Sequence, residues 1–299
     1  MFTYPRLFRD DPCEPAARRY DVSHKYRDTR QIGRPMHLHF LPLFLLAALI
    51  SSAGFKKFVW FLSLGYGFSM AAIGVALIAM FWGSVDAASL VLCLLLVVYG
   101  LRLGIYLVHR ELRNAEYNKV LNSAGGSATY PLPVLIVIWL TCALLYVCEA
   151  SPVLWRLMAG VGTDGFGIAG AVIATCGVAL EAAADLQKSA AKKVNPRRFV
   201  DTGLFSFVRC PNYLGEILTW TGMLVSGLGA MQIQSHWAAS LFGWAGIVYV
   251  MFGGARRLEI RQNKNYGNDP EYQAYVRRVP IILPFVPLYS VEKYTWLRG

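Results

Sequence analysis

Charge is what this chain has least of. Only 16% of its 299 residues are Asp, Glu, Lys or Arg, against about a quarter in an ordinary soluble domain, which excludes a water-soluble globular protein. Metal-ligand spacing is missing too. The six cysteines (Cys13, Cys93, Cys142, Cys148, Cys176 and Cys210) form no CxxC pair, and the five histidines make no ligand set. Neither a disulfide framework nor a metal site is expected. There is no P-loop, no GxGxxG after a strand and no Ser-His-Asp order, so any nucleotide must be held by helix-borne side chains and loops. Residues 1–35 carry eight Lys or Arg and no apolar core, so they are not expected to act as a signal peptide.

What fills the chain is apolar sequence: 56% hydrophobic residues and a mean hydropathy of +0.41. Seven apolar segments are readable, at 38–54, 58–82, 88–109, 131–150, 165–183, 213–231 and 236–255, close to the ~20 residues a helix needs to cross a bilayer. The sequence therefore predicts an all-α polytopic membrane protein of about seven transmembrane helices. Residues 1–36 form a polar tail and 37–299 a single membrane domain. Residues 152–160, with Pro152 and Arg156, read as an interfacial connector. PIILPFVPLY (280–289) is too short and Pro-rich to span.

The net charge of +11 does not point to nucleic acid, because the basic residues lie between the spans. Membrane topology with anionic lipid headgroups explains most of it; a polyphosphate ligand is the other source. The carboxyl-terminal tail carries eight Lys or Arg and the 184–212 loop six, whereas the opposite loops carry one, Arg156, apart from the amino-terminal tail. The 184–212 loop and the carboxyl terminus are thus expected in the cytoplasm, in a bacterial inner membrane or the endoplasmic reticulum. With seven spans the amino-terminal tail breaks the rule; with 38–54 re-entrant and six spans it does not.

Three polar constellations interrupt the apolar pattern. Tyr99, Arg102, Tyr106, His109 and Arg113 recur at three- and four-residue steps, which draws one stripe along the third span. An arginine so deep costs roughly 2.5–3.5 kcal/mol on insertion scales, so this face belongs in the bundle interior or a wet cavity. The alternative is snorkelling arginines and an interfacial tyrosine belt. A second stripe, Glu181, Asp185, Lys188 and Lys192, runs into Lys193, Asn195, Arg197 and Arg198 before a turn at Asp201-Thr202-Gly203. Acidic groups followed by basic ones suit a helix carboxyl terminus; four cations so close also suit phosphate or a lipid headgroup. Between two apolar segments, Asn212 and Glu216 stand four residues apart on one helical face. A third group follows the last span: Arg256, Arg257, Glu259, Arg261 and Lys264, then Tyr266, Tyr272 and Tyr275. Alone it reads as an amphipathic juxtamembrane helix.

GLFSFVRCPNYLGEILTWTG (203–222) resembles the carboxyl-terminal signature of the steroid 5-alpha-reductase family. The similarity is strongest over 178–288, which reads as the cofactor-binding part. The resemblance implies a seven-helix membrane enzyme that takes hydride from NADPH and saturates an activated carbon–carbon double bond of a lipophilic substrate. It implies that Asn212 and Glu216, with Tyr213 between them, hold the nicotinamide end and that Asp185 contacts the adenosine side. Glu181 stands where the animal enzymes have Asn. Lys192, Arg197 and Arg198 match the phosphate-binding region, and Arg257 and Arg261 the contacts after the last span. Tyr99 matches the tyrosine that polarises the substrate carbonyl and Arg102 a cofactor contact; Arg102 is also expected to sharpen Tyr99 as a donor. WFLSLGYGF (60–68) resembles the segment where the animal enzymes carry a Gln-Glu pair for the steroid ketone; Ser63 and Leu64 stand there instead. Rival expectations are an S-adenosylmethionine-dependent membrane methyltransferase, which shares a Pro-x-Tyr-x-Gly element, and a non-enzymatic lipid-binding protein. A transporter has no inverted repeat to support it.

Overall fold

The structure, a computed structural model, describes residues 37–113 and 130–297. The calls on residues 1–36 and on Arg113, and the side chain of His37, lie outside what is described. Among the described residues every long element is a helix: α1 (His37–Ser51), α2 (Leu64–Met80), α3 (Ala87–Arg113), α4 (Leu132–Ala159), α5 (Gly165–Val194), α6 (Pro211–Gly227), α7 (Gln234–Tyr266) and α8 (Pro270–Arg278), with short 3-10 turns at Ser52–Phe55, Phe58–Phe61 and Gly203–Ser206. An apolar environment demands this, because a helix satisfies its backbone groups internally. Large apolar side chains such as Leu45, Leu49, Val98, Ile105, Val137 and Val172 point outward. That suits a lipid-facing exterior, and the chain is an integral multi-pass membrane protein.

Among the described residues six stretches are long and apolar enough to cross a bilayer: Leu38–Phe55, Phe58–Met80, Ala87–His109, Leu132–Ala159, Gly165–Val194 and Gln234–Tyr266. The segment predicted at 213–231 is not among them: it forms α6, of 17 residues, whereas 38–54, re-entrant in the six-span alternative, lies within the 18-residue stretch Leu38–Phe55. The polar residues at the mouth of α6 and its lining of small residues explain the difference: it is built to pack against neighbouring helices.

A second correction concerns 152–160. These residues are no connector but the last turns of α4, and Arg156 is fully buried. Pro152 deprives the Cys148 carbonyl of its helical donor, and the Ser151 hydroxyl donates to that carbonyl at 2.8 Å. Arg156 donates to Asp164 (2.8 Å), to the Ser226 carbonyl (2.8 Å) and to the Gly162 carbonyl (3.0 Å). Asp164 also caps α5 by accepting from the Gly167 N–H at 2.8 Å. Partial burial pushes the Asp164 carboxyl up, but the Gly167 N–H and the Arg156 guanidinium outweigh it and hold the group below the usual carboxylate range. The link is therefore complete at neutral pH and is lost only on acidification.

The tightest pairing in the bundle is α5 with α6. A Cβ on Gly177 would stand 2.6 Å from the Gly215 carbonyl, and one on Gly215 would stand 2.6 Å from the Glu181 nitrogen. Small residues that let backbones touch are how helices associate where the hydrophobic effect is weak. Gly177→Ala is expected to cost about 1–3 kcal/mol through overpacking, read as a lowered melting temperature in detergent.

Candidate active site

The same close approaches carry the polar side chains inward. Gly67 of α2 and Gly100 of α3 bring their helices into contact, and a Cβ on Gly67 would stand 2.9 Å from the Gly104 nitrogen. Their neighbours Tyr66 and Tyr99 thereby meet in the core. Gly215 does the same for Glu216 on α6. Tyr66 donates to Glu216 Oε1 at 2.7 Å, Tyr99 donates to the same oxygen, and the Trp220 indole reaches it at 3.2 Å. The Tyr99 hydroxyl also lies 3.1 Å from that of Tyr66. All four side chains are buried. One carboxylate oxygen with three donors in an apolar core is preorganised polar machinery; structural packing alone does not require it.

Arg102 comes next along α3. It forms ion pairs with Glu181 and, at 3.1 Å, with Asp185, both on α5. The predicted stripes on the third and fifth spans thus face each other. The interior of α3, α5 and α6 holds three carboxyl groups, Glu181, Asp185 and Glu216, against one guanidinium. That excess of acid favours a positively charged or proton-bearing guest.

Further along the same face of α5, Lys188 and Lys192 line a cleft of about 210 Å³ with Phe199, Arg209, Arg261 and Tyr266 among its walls. From Glu181 to Lys192 the polar face runs roughly 16 Å along the helix axis. Arg209 is 3% exposed. Its Nη2 donates to Glu259 at 2.9 Å and to the Tyr289 carbonyl, yet its Nε and Nη1 are buried without a hydrogen-bond partner. Buried guanidinium donors left unpaired are costly, and beside three further cations they fit an anionic ligand such as a phosphate. The aromatic wall behind is rigid: Phe199 stacks on Tyr275 with centroids 5.5 Å apart, and Tyr275 donates to the Phe205 carbonyl at 2.8 Å. Burial pushes the Tyr272 phenol up to about 12, so it stays neutral across physiological pH.

The remaining predicted residues divide. Lys192 lies on the cleft rim, where its ammonium donates to the Pro196 and Arg198 carbonyls and to Tyr266. Arg261 lies on the cleft as well. Arg198 does not; Glu271 (2.6 Å) and Asp201 (3.1 Å) take its charge. Arg197 and Arg257 are exposed and line no part of this cleft. Asn212 sits half-buried in the first turn of α6, and the Tyr213 ring packs against α7 at Gly254. Ser63 is turned to its own backbone, donating to the Val59 carbonyl at 2.8 Å. Tyr66, Trp220 and Arg209 were not singled out from the sequence. All three stand in the quoted segments, and what was missing was the fold that joins them.

Comparison with known proteins places the chain only by family. It is 34% identical over 88 residues to an uncharacterized protein of Schizosaccharomyces pombe, a stretch covering 29% of this chain and 24% of that relative's own length. No solved structure matches. The family model described as "Protein of unknown function (DUF1295)" matches residues 43–279, from α1 to just past the end of α8, and the chain belongs to that family.

Proposed function

We propose that this protein is a membrane-embedded NADPH-dependent reductase that saturates a polarised carbon–carbon double bond in a lipophilic substrate. One observation carries the reading. The polar face of α5 leads from a basic cleft with an under-bonded buried arginine to Arg102, which stands one turn along α3 from Tyr99 in the buried Tyr66–Tyr99–Glu216 cluster. An elongated ligand with an anionic end and a reactive end on which positive charge develops matches that order of charges. Lys188, Lys192, Arg209 and Arg261 fit the phosphates, and the acidic excess around Glu181, Asp185 and Glu216 suits the positive charge of the oxidised nicotinamide ring. NADPH, when bound, supplies hydride to the alkene.

The chain's own residues do the rest. On substrate binding the Tyr99 O–H turns from Glu216 to the oxygen on which negative charge develops, while Glu216 keeps Tyr66 in place beside it. The surrounding apolar helices exclude water and strengthen those donors. The basic 184–212 loop supports a cytoplasmic position for the cleft and for the carboxyl terminus. The test is loss of reduced-nicotinamide absorbance by the purified protein in mild detergent with a panel of enone lipids. The Lys188→Ala/Arg261→Ala variant is expected to raise the KM for NADPH roughly 10- to 100-fold, the effect of losing charged contacts to phosphate. Wild-type protein that consumes no NADPH with any enone, and binds S-adenosylmethionine instead, overturns the proposal.

A further inference from the structure

Glu149 is a core carboxyl group that the reductase reading leaves without a task. It lies on α4, is 3% exposed, and neither of its oxygens has a hydrogen-bond partner. Among the described residues it takes part in no ion pair, whereas Glu181, Asp185 and Glu259 each have an arginine. Its place is set by geometry. Tyr146, one turn earlier on the same face of α4, packs its ring against that of Tyr66 with centroids 5.1 Å apart. The Glu149 carboxyl therefore lies on the face of α4 that packs against Tyr66, and it makes no hydrogen bond of its own. The other groups facing it are the Tyr146 hydroxyl, turned to the Phe61 carbonyl, and the thiols of Cys142 and Cys148. No cation is among them.

An ionised carboxylate there would have neither donor nor counter-charge in a low-dielectric interior, a far worse state than the neutral acid. A neutral acid keeps an O–H and has a use for it. We propose that Glu149 is the proton store of this site, holding its carboxyl proton in the resting protein and delivering it through Tyr66 and Tyr99 during reduction. The proposal rests on the reductase reading. Hydride from the reduced nicotinamide adds to the β carbon, the carbon–carbon π bond breaks, and the electron pair ends on the carbonyl oxygen as an enolate. Tyr99 gives that oxygen its proton, Tyr66 reprotonates Tyr99 across their 3.1 Å contact, and Glu149 reprotonates Tyr66. Glu149 is left as a carboxylate and takes one proton from solvent before the next turnover; the enol tautomerises to the saturated ketone. Glu216, already an acceptor of both hydroxyls, is positioned to orient this chain and not to feed it.

Two measurements test this. Infrared spectroscopy of the wild-type protein at neutral pH is expected to show a carboxylic-acid C=O band that Glu149→Gln removes. In the same variant, turnover of an enone should fall roughly a hundredfold or more, the usual contribution of a positioned acid. Its affinity for NADPH should stay within about twofold, which a merely structural role would not guarantee. A wild-type protein without any carboxylic-acid band overturns the proposal however the variant folds, and so does a Glu149→Gln enzyme that turns over at the wild-type rate. If the band is present and Glu149-dependent while no enone is ever reduced, the reductase reading fails and the protonated state of Glu149 stands.

Discussion

Tyr99→Phe is expected to lower enone turnover by about 10²- to 10³-fold, the ~3–4 kcal/mol of one preorganised donor. NADPH affinity should scarcely change. The reasoning is local. The Tyr99 ring is fully buried and packs edge-on to Trp220 at 5.7 Å, and Phe keeps that packing. What is lost is one O–H. Glu216 retains two of its three donors, Tyr66 at 2.7 Å and Trp220 at 3.2 Å, so its carboxyl is not stranded and the fold should hold. The basic cleft lies at the far end of the polar face of α5 and does not contact Tyr99. Stopped-flow oxidation of NADPH beside equilibrium binding separates the two quantities. Equal loss of both would remove Tyr99 from the chemistry.

Arg209→Met carries the other large effect, and it falls on stability. Arg209 and Glu259 are each about 2% exposed at their side chains and lie 2.9 Å apart. Removing one partner of such a pair strands the other charge and costs about 3–5 kcal/mol. The expected result is a large fall in melting temperature together with loss of the cleft's buried cation. The double variant Arg209→Met/Glu259→Met is expected to recover part of the stability, since an apolar pair of similar volume is often tolerated. Recovery should be incomplete, because Glu259 also accepts from the Val291 N–H at 2.8 Å and methionine leaves that donor buried and unpaired. Full recovery would mean that the pair does not hold the carboxyl-terminal segment onto α7.

Much of this architecture was legible in the apolar runs. Six of the seven predicted segments lie in helical stretches of span length, because a bilayer enforces length and hydropathy together. The stripe of Glu181, Asp185, Lys188 and Lys192 could be read from helical spacing, and the structure sets it on one continuous helix, α5. Arg156 misled, since a charge beside a proline looks like an interface; only the carbonyls of Ser226 and Gly162 and the Asp164 carboxylate show that the core was built around it. For Arg198 one acidic partner, Asp201, is local, but the other, Glu271, lies 73 residues away, beyond any local pattern. Tyr66 was hidden between Gly65 and Gly67, where nothing in sequence distinguishes a core tyrosine from an interfacial one. Glu149 had a usable signal, a lone carboxylate in a 28-residue apolar helix, since ionisable groups inside a span are functional candidates. Pairings between helices are set by which small residues touch, and that information is not periodic.

The basic cleft should respond to salt in two parts. Three of its cations, Lys188, Lys192 and Arg261, are at least partly accessible, so their attraction for phosphate is screened by salt, whereas Arg209 is shielded. Cofactor affinity should therefore fall with ionic strength and level off at a residual set by the buried guanidinium.

Direct titration of NADPH into the purified, folded protein in mild detergent tests the central claim most closely. Saturable binding that weakens with added salt and collapses in Lys188→Ala/Arg261→Ala is the predicted result. Absence of any uptake at millimolar NADPH by a protein that melts cooperatively would contradict it.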